Sequence, residues 1–303
     1  MKQSGNNTII GIDHGYGYIK SASTIMKSGI EEYPITPPFD EDIFKIGNQV
    51  FVAGQVRTEH RADKTKNKDY YYLTLASVAK ELQANNQKDA GNVILSVGLP
   101  YSFFAIQKEE FRNYLLQKKR VSFQFEGVKH HVEIKDVFVY PQGLPVLAKS
   151  LERYRDKTVS VADIGSRTID VITYRRGKPF YDLCFSIDKK GTLDCIDNIE
   201  KYYLSKYTEK LDEEDVQCLM QKENISLPAD RQQFIKNMIK IYAKDIFKLL
   251  DSKLDIKNII ICGGGATVIK NYGGNEWKNA TIEEDIYCNA KGYEMLTYNR
   301  LKK

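Results

Sequence analysis

Asp163-x-Gly165-Ser166-Arg167-Thr168-x-Asp170 is the stretch whose residue types could do chemistry. Val159 and Val161 lead into it, and Ile169, Val171 and Ile172 lead out, so it reads as strand, tight turn, strand. A turn carrying Gly, Ser and Thr can aim backbone amides and hydroxyls at one anion. An Asp at its mouth repels a phosphate, but it suits a cation, or the water shell of a cation, that touches the phosphate. Alone, Asp-x-Gly is more often a plain β-turn.

A second copy changes that weighting. Thr8-Ile-Ile-Gly-Ile-Asp-His-Gly-Tyr-Gly-Tyr-Ile-Lys20 repeats the plan, with Asp13 and Gly15 where the later copy has Asp163 and Gly165. The two aspartates lie 150 positions apart, about half the chain, and a polar residue stands at the seventh place after each, Lys20 and Asp170. A turn duplicated at that spacing implies two similar domains facing one ligand across a cleft. Two further signals are weaker. Gln142 sits at a strand-to-helix junction, where it is either a plain helix-start residue or a group that orients a water. Lys257–Cys262 is an apolar strand running into Gly263-Gly264-Gly265-Ala266, a general nucleotide-loop signal with neither dinucleotide nor Walker A spacing.

The elements that must position these residues follow from periodicity. Tyr18–Ile25 and Ile30–Tyr33 read as strands, and Phe44–Ile46 with Val50–Val52 as a hairpin. Glu59–Asp69 reads as a charged, exposed loop. Tyr70–Asn85 has helical spacing, its three tyrosines packing on the helix face. Val93–Val97 is a buried strand and Glu109–Lys118 a helix. Val121–Phe125, Val132–Ile134 and Val137–Tyr140 are strands, and a helix runs from about Leu144 to Tyr154. In the second half Phe180–Ile187 continues the sheet. Gly191 opens a helix to about Lys206, where a bare backbone lets a ligand approach. Helices follow at 212–221 and 229–252, and a short one closes the chain at Lys303.

The 303 residues suit two domains, and 42% apolar with 28% charged residues describes a globular chain. A net charge of +5 spread over that length does not call for nucleic acid. Cys184, Cys195, Cys218, Cys262 and Cys288 are odd in number without C-x-x-C spacing, as expected of reduced thiols in a cytoplasmic protein. The polar start, Met1–Asn7, and the lack of a spanning apolar run predict no signal peptide and no membrane partner. His14, His60, His130 and His131 have no metal-ligand spacing.

The order of Asp-x-Gly turn, Gln junction, second Asp-x-Gly turn, Gly-Gly-Gly-Ala loop and closing helix resembles the actin-like ATPase superfamily. Within it the chain looks most like the bacterial plasmid-segregation actins, the ParM/StbA family. The resemblance covers essentially the whole chain. Its specific parts are Asp13-x-Gly15-x-Gly17-x-x-Lys20, the Asp163–Asp170 run and Gly263–Ala266. Ile46–Gly54, Gly98–Pro100 and Asn289–Gly292 add weaker support.

The resemblance implies an α/β chain with the actin-like ATPase fold, two duplicated ribonuclease-H-like domains around a nucleotide cleft. Domain I would be residues 1–154 plus 284–303, with a small subdomain at about 35–70. Domain II would be 155–283, with a helical subdomain at about 192–255. Asp13, Gly15, Tyr16, Gly17 and Lys20 would form the first phosphate loop, and Asp163, Gly165, Ser166, Arg167 and Thr168 the second. Asp13 and Asp163 would hold Mg²⁺ through water, and Gln142 would orient the attacking water. Gly263, Gly264, Gly265 and Ala266 would cover the adenosine, with Gly191 on the ribose side. The implied ligands are ATP and ADP, and the implied activity is ATP hydrolysis that cycles a filament. The filament would segregate a plasmid or another mobile element through a DNA-binding adaptor, touching DNA only indirectly.

Two departures stand out. Tyr16 replaces the small hydroxyl residue of actin, so its ring must turn away and leave the backbone amide. Arg167 replaces Gly or Thr, and either clasps phosphate or points outward. A small-molecule kinase, a non-polymerising nucleotide-dependent scaffold and a relative that binds without turnover are the rival readings. The kinase reading lacks a candidate base Asp beside Gln142.

Overall fold

The computed structural model describes residues 1–57, 63–87, 91–150 and 152–302. Of the charged stretch expected to be an exposed loop, residues 59–62 lie outside the described residues. The chain divides into two compact units, Met1–Ala148 with Tyr287–Lys303, and Lys149–Ile286.

In chain order the strands of the first unit are β1 (Lys2–Ser4), β2 (Asn7–His14), β3 (Tyr18–Lys20), β4 (Ile25–Lys27), β5 (Ile30–Tyr33), β6 (Ile43–Ile46), β7 (Gln49–Ala53), β8 (Gly91–Leu99), β9 (Arg120–Phe125) and β10 (Val128–Pro141). Its helices are α1 (Asp69–Ala84), α2 (Tyr101–Leu115) and α3 (Leu144–Ser150), which runs to the unit boundary. The second unit holds β11 (Thr158–Ile164), β12 (Thr168–Arg175), β13 (Lys178–Pro179), β14 (Phe185–Asp188), β15 (Ile259–Cys262) and β16 (Thr281–Ile282). Its helices are α4 (Thr192–Tyr207), α5 (Glu213–Met220), α6 (Ala229–Asp251) and α7 (Ala266–Tyr272). Helix α8 (Cys288–Leu301) returns to the first unit. No helix among the described residues is long and apolar enough to cross a membrane.

The first unit is built on one sheet of order β4-β3-β2-β8-β10-β9-β6-β7-β5, with β1 on β2. Strands β2, β8 and β10 are parallel, and the hairpin β6–β7 joins the same sheet through β9. Alternation along each strand sorts the two faces. Ile10 and Ile12 of β2, with Val93, Leu95 and Val97 of β8, enter one core with Tyr70, Leu73, Ala76 and Val78 of α1. Gly11, Ser96 and Gly98 face the other way, onto α8. An added Cβ at Gly11 would lie 2.0 Å from the Ala290 carbonyl oxygen, and the Gly11 amide donates to Glu294 Oε1 at 3.0 Å.

In the second unit the sheet order is β13-β12-β11-β15-β16, with β14 on β12. Ala162 and Ile164 of β11 pack with Ala243, Ile246 and Leu250 of α6 and with Trp277. Beside this, Ile196 and Ile199 of α4, Val216 and Leu219 of α5, and Ile235 and Ile239 of α6 form a helical core of their own. Cys195, Cys262 and Cys288 are buried, and Cys184 and Cys218 half-buried.

Several elements differ from the expectation. Tyr18–Ile25 is not one strand, because the chain turns between β3 and β4. There the buried Glu81 carboxylate accepts the Ser21 hydroxyl at 2.5 Å, the Ser23 amide at 3.0 Å and the Ser23 hydroxyl at 2.7 Å. Such side-chain acceptors compete with the ladder. Helix α2 begins at Tyr101, not Glu109, since Pro100 with ψ 144° sets its start, and it ends at Leu115. The two strands expected within 132–140 are one strand, β10, with a register shift between Ile134 and Asp136. Phe180–Ile187 is interrupted by a 3₁₀ turn at Tyr181–Leu183 before β14.

Because the Gly11 contact is backbone on backbone, Gly11→Ala should lower unfolding free energy by about 2–3 kcal/mol in urea titrations, and an unchanged midpoint would remove this contact from the packing. A second expectation concerns His14, fully buried against Phe111 with its Nε2 2.8 Å from Thr74 Oγ1. Burial first, and the Lys64 ammonium second, push its pKa from 6.5 down to about 3. The unfolded chain therefore takes up this proton first, so the stability is present above pH 6.5 and is lost as the pH falls towards 3. Between pH 7 and 5 the loss from His14 should be about 2 kcal/mol. His14→Asn should flatten that slope, and equal slopes in the two proteins would disprove the assignment.

Candidate functional site

In the first unit, β2 ends at the turn. Asp13 and Lys20 are direct cross-strand partners, which explains the seventh-place spacing. Asp13 is 8% exposed, and its Oδ1 accepts the Gln142 Nε2–H at 2.9 Å across 129 positions of sequence. Gln142 is fixed in turn, its backbone amide donating to the Leu99 carbonyl at 2.9 Å. The next residue, Gly143, has φ +82° and donates to Asn289 Oδ1 at 3.2 Å.

The Gly15–Gly17 turn is held from the protein side. The Gly15 carbonyl accepts the Ser28 hydroxyl at 2.5 Å, and the Gly17 carbonyl accepts the Ser28 amide at 3.0 Å and Arg57 Nε–H at 3.3 Å. Tyr16 is buried, its ring beneath the Lys64 ammonium at 4.7 Å from the centroid.

In the second unit, Asp163 and Asp170 face each other across β11 and β12. Both are buried, at 6% and 2% exposure. Like charges in register repel, and the two carboxylates are treated differently. Asp170 accepts the Thr168 hydroxyl at 3.1 Å and that of Ser186. Asp163 lies against the glycine loop, where an added Cβ at Gly263 would come 2.2 Å from its Oδ1.

The turn after Asp163 is braced by main chain. The Thr192 and Leu193 amides at the start of α4 donate to the Gly165 and Ser166 carbonyls at 3.0 and 2.8 Å. What approaches Gly191 is this turn itself, since an added Cβ would lie 2.2 Å from Ser166 backbone atoms. The Arg167 guanidinium lies on α4, 2.9 Å from Asp194 Oδ1 and paired with Asp197, so protein carboxylates already meet its charge.

The Gly263–Ala266 loop follows β15, the parallel neighbour of β11. Gly265 donates to the Ile164 carbonyl at 2.9 Å, and its added Cβ would strike Ile164 at 2.2 Å. Ala266 begins α7 and is buried. Gly264 is different: an added Cβ there meets no protein atom within 4 Å, and its φ is not left-handed. The protein's own packing leaves that surface uncovered, as a docked ring or sugar would require.

Each unit thus gathers its own share of the expected residues, Asp13, Gly15, Tyr16, Gly17, Lys20 and Gln142 in the first, and Asp163, Gly165–Thr168, Gly191 and Gly263–Ala266 in the second. Taken separately, each unit offers a buried carboxylate beside a glycine turn, a residue set whose chemistry suits a hydrated cation. Sequence reading gave no site role to Ser28, Arg57, Lys64 or Asn289. Lys64 lay in the segment expected to be exposed, yet it is 2% exposed. A cavity of about 710 Å³ between α4 and α6 in the second unit, edged by Lys190, Asp194, Tyr202 and Tyr242, is lined by none of the expected residues.

The family model for the N-terminal domain of actin-like proteins matches residues 11–144. That described as archaeal actin homologue MreB-like, C-terminal, matches residues 161–272. Among solved structures, the chain is similar to a 15-stranded ParM filament from Clostridium botulinum, at 17% identity and TM-score 0.75, covering 96% of this chain and 99% of that one. It is similar to an archaeal actin homolog in complex with ADP, at 18% identity and TM-score 0.73, covering 96% and 99%. It is also similar to Bacillus thuringiensis ParM with ATP, at 17% identity and TM-score 0.70, covering 98% and 100%. No curated protein sequence matches the chain. The two family matches take in both aspartate turns, the fold is that of ParM and the archaeal actin homologues, and the chain belongs to the actin-like proteins.

Proposed function

We propose that this chain is an ATPase that binds Mg²⁺–ATP through its two aspartate turns and uses hydrolysis to cycle a filament of its own copies. The observation that carries the reading is the repetition, in each unit, of a buried Asp at a strand end, followed by a glycine turn and flanked by a parallel strand. One such motif is a common turn, whereas two at half-chain spacing suit one triphosphate. The ATP and ADP complexes among the similar structures support the ligand.

In this reading Asp13 and Asp163 hold the metal's water shell. Lys20 and the amides of both turns neutralise the phosphates. Gln142 donates to Asp13 through Nε2, which leaves Oε1 to accept a proton of the attacking water and orient it. Bound Mg²⁺ would supply the remaining charge neutralisation on the phosphate oxygens. Gly264 lies against the adenosine. Self-assembly and an adaptor-borne plasmid or mobile-element cargo extend the likeness to ParM filaments.

The test is light scattering and phosphate release with ATP against ADP. ATP-dependent scattering, with phosphate release rising steeply with protein concentration, is expected. Sugar-dependent ATP consumption by dilute protein would instead identify a kinase, and scattering indifferent to nucleotide would remove the cycle. Asp163→Ala should abolish Mg²⁺-dependent release. Gln142→Ala should slow it on the order of 100-fold while sparing binding, and wild-type release from that variant would take Gln142 out of the mechanism. Gly264→Ala should leave the unfolding midpoint unchanged yet weaken ATP binding about tenfold or more, as expected of a methyl forced between loop and ligand. Unchanged affinity would place the adenosine elsewhere.

A further inference from the structure

Taking an ammonium group out of water costs several kcal/mol unless protein groups replace its hydration. Lys64 is such a group, and two of its contacts bear on the first turn. Its Nζ donates to the carbonyl of His14, the residue directly after Asp13. It lies 4.7 Å from the ring centroid of Tyr16, in the turn itself, and 5.5 Å from that of Tyr70 at the start of α1.

Two effects follow. The Tyr16 ring is held by cation–π attraction, worth more in a desolvated setting than at the surface, and this keeps the Tyr16 backbone as the ligand-facing part of the turn. A fixed positive charge also stands behind the end of β2, where low permittivity enlarges its field over that of an exposed lysine. Lys20, the cation expected from spacing, is only half-buried on β3.

We propose that Lys64 is a phosphate-positioning residue of the nucleotide site. It fixes the Gly15–Gly17 turn through the His14 carbonyl and the Tyr16 ring, and it selects the β- and γ-phosphates by charge. This rests on the ATP-binding reading above. The role belongs to phosphate alone, so it separates from a merely structural one by ligand series. Calorimetric titration of the full chain with AMP, ADP and ATP in Mg²⁺ is the test.

Lys64→Met should weaken ADP and ATP roughly 10- to 100-fold and leave AMP within about twofold. Lys64→Arg, which keeps charge but not shape, should fall between. Should Lys64→Met not fold, Tyr16→Leu removes the ring from beneath the ammonium and carries the same comparison, with a smaller loss expected. Equal weakening of all three nucleotides, or no weakening, would overturn the proposal. A wild-type chain that binds none of them would defeat the ATP reading itself, and this inference with it.

Discussion

Main chain pressed against main chain at the end of β11 is the constraint on which the second unit depends. Two sequence-distant segments close on the same turn, the start of α4 at Gly191 and the loop after β15 at Gly263 and Gly265. Amide-to-carbonyl bonds to Gly165, Ser166 and Ile164 fix their positions. A carboxylate in that setting has little freedom, and preorganised groups of this kind need no rearrangement when charge develops nearby.

The first unit reaches the same end by other means. Its turn is fastened by side chains: Ser28 and Arg57 on the carbonyls, Gln142 on the Asp13 carboxylate, and Lys64 on His14 and Tyr16. The electrostatic frames also differ. Asp13 stands opposite a lysine, whereas Asp163 stands opposite a second carboxylate that hydroxyls must satisfy. The two halves share a backbone plan and not a charge pattern. Arg167 fits the same distinction, since its charge serves the acidic first turns of α4.

What was readable in the sequence was local. Each hairpin closes within eight residues, so the turn chemistry of Asp, Gly, Ser and Thr is visible without knowing the fold. The long amphipathic helices α1, α4 and α6 were visible for the same reason, since 3.6-residue periodicity is written along one segment. Two of the failures were matters of distant partners. Nothing near Ser21 signals that Glu81 will pull the chain out of its strand, and nothing near Lys64 signals that aromatic rings will bury it. Nothing near Gln142 signals its contact with Asp13, 129 positions earlier.

Strands β2 and β8 belong to the first hundred residues, yet the helix that covers Gly11, Ser96 and Gly98 is α8, beyond the whole second unit. A ribosome adding about 5–20 residues per second reaches α8 on the order of 10 s after β8 has emerged. Throughout that interval the nascent sheet keeps one face open to chaperones or to neighbouring chains. Maturation of the early half is thereby timed by synthesis of the late one.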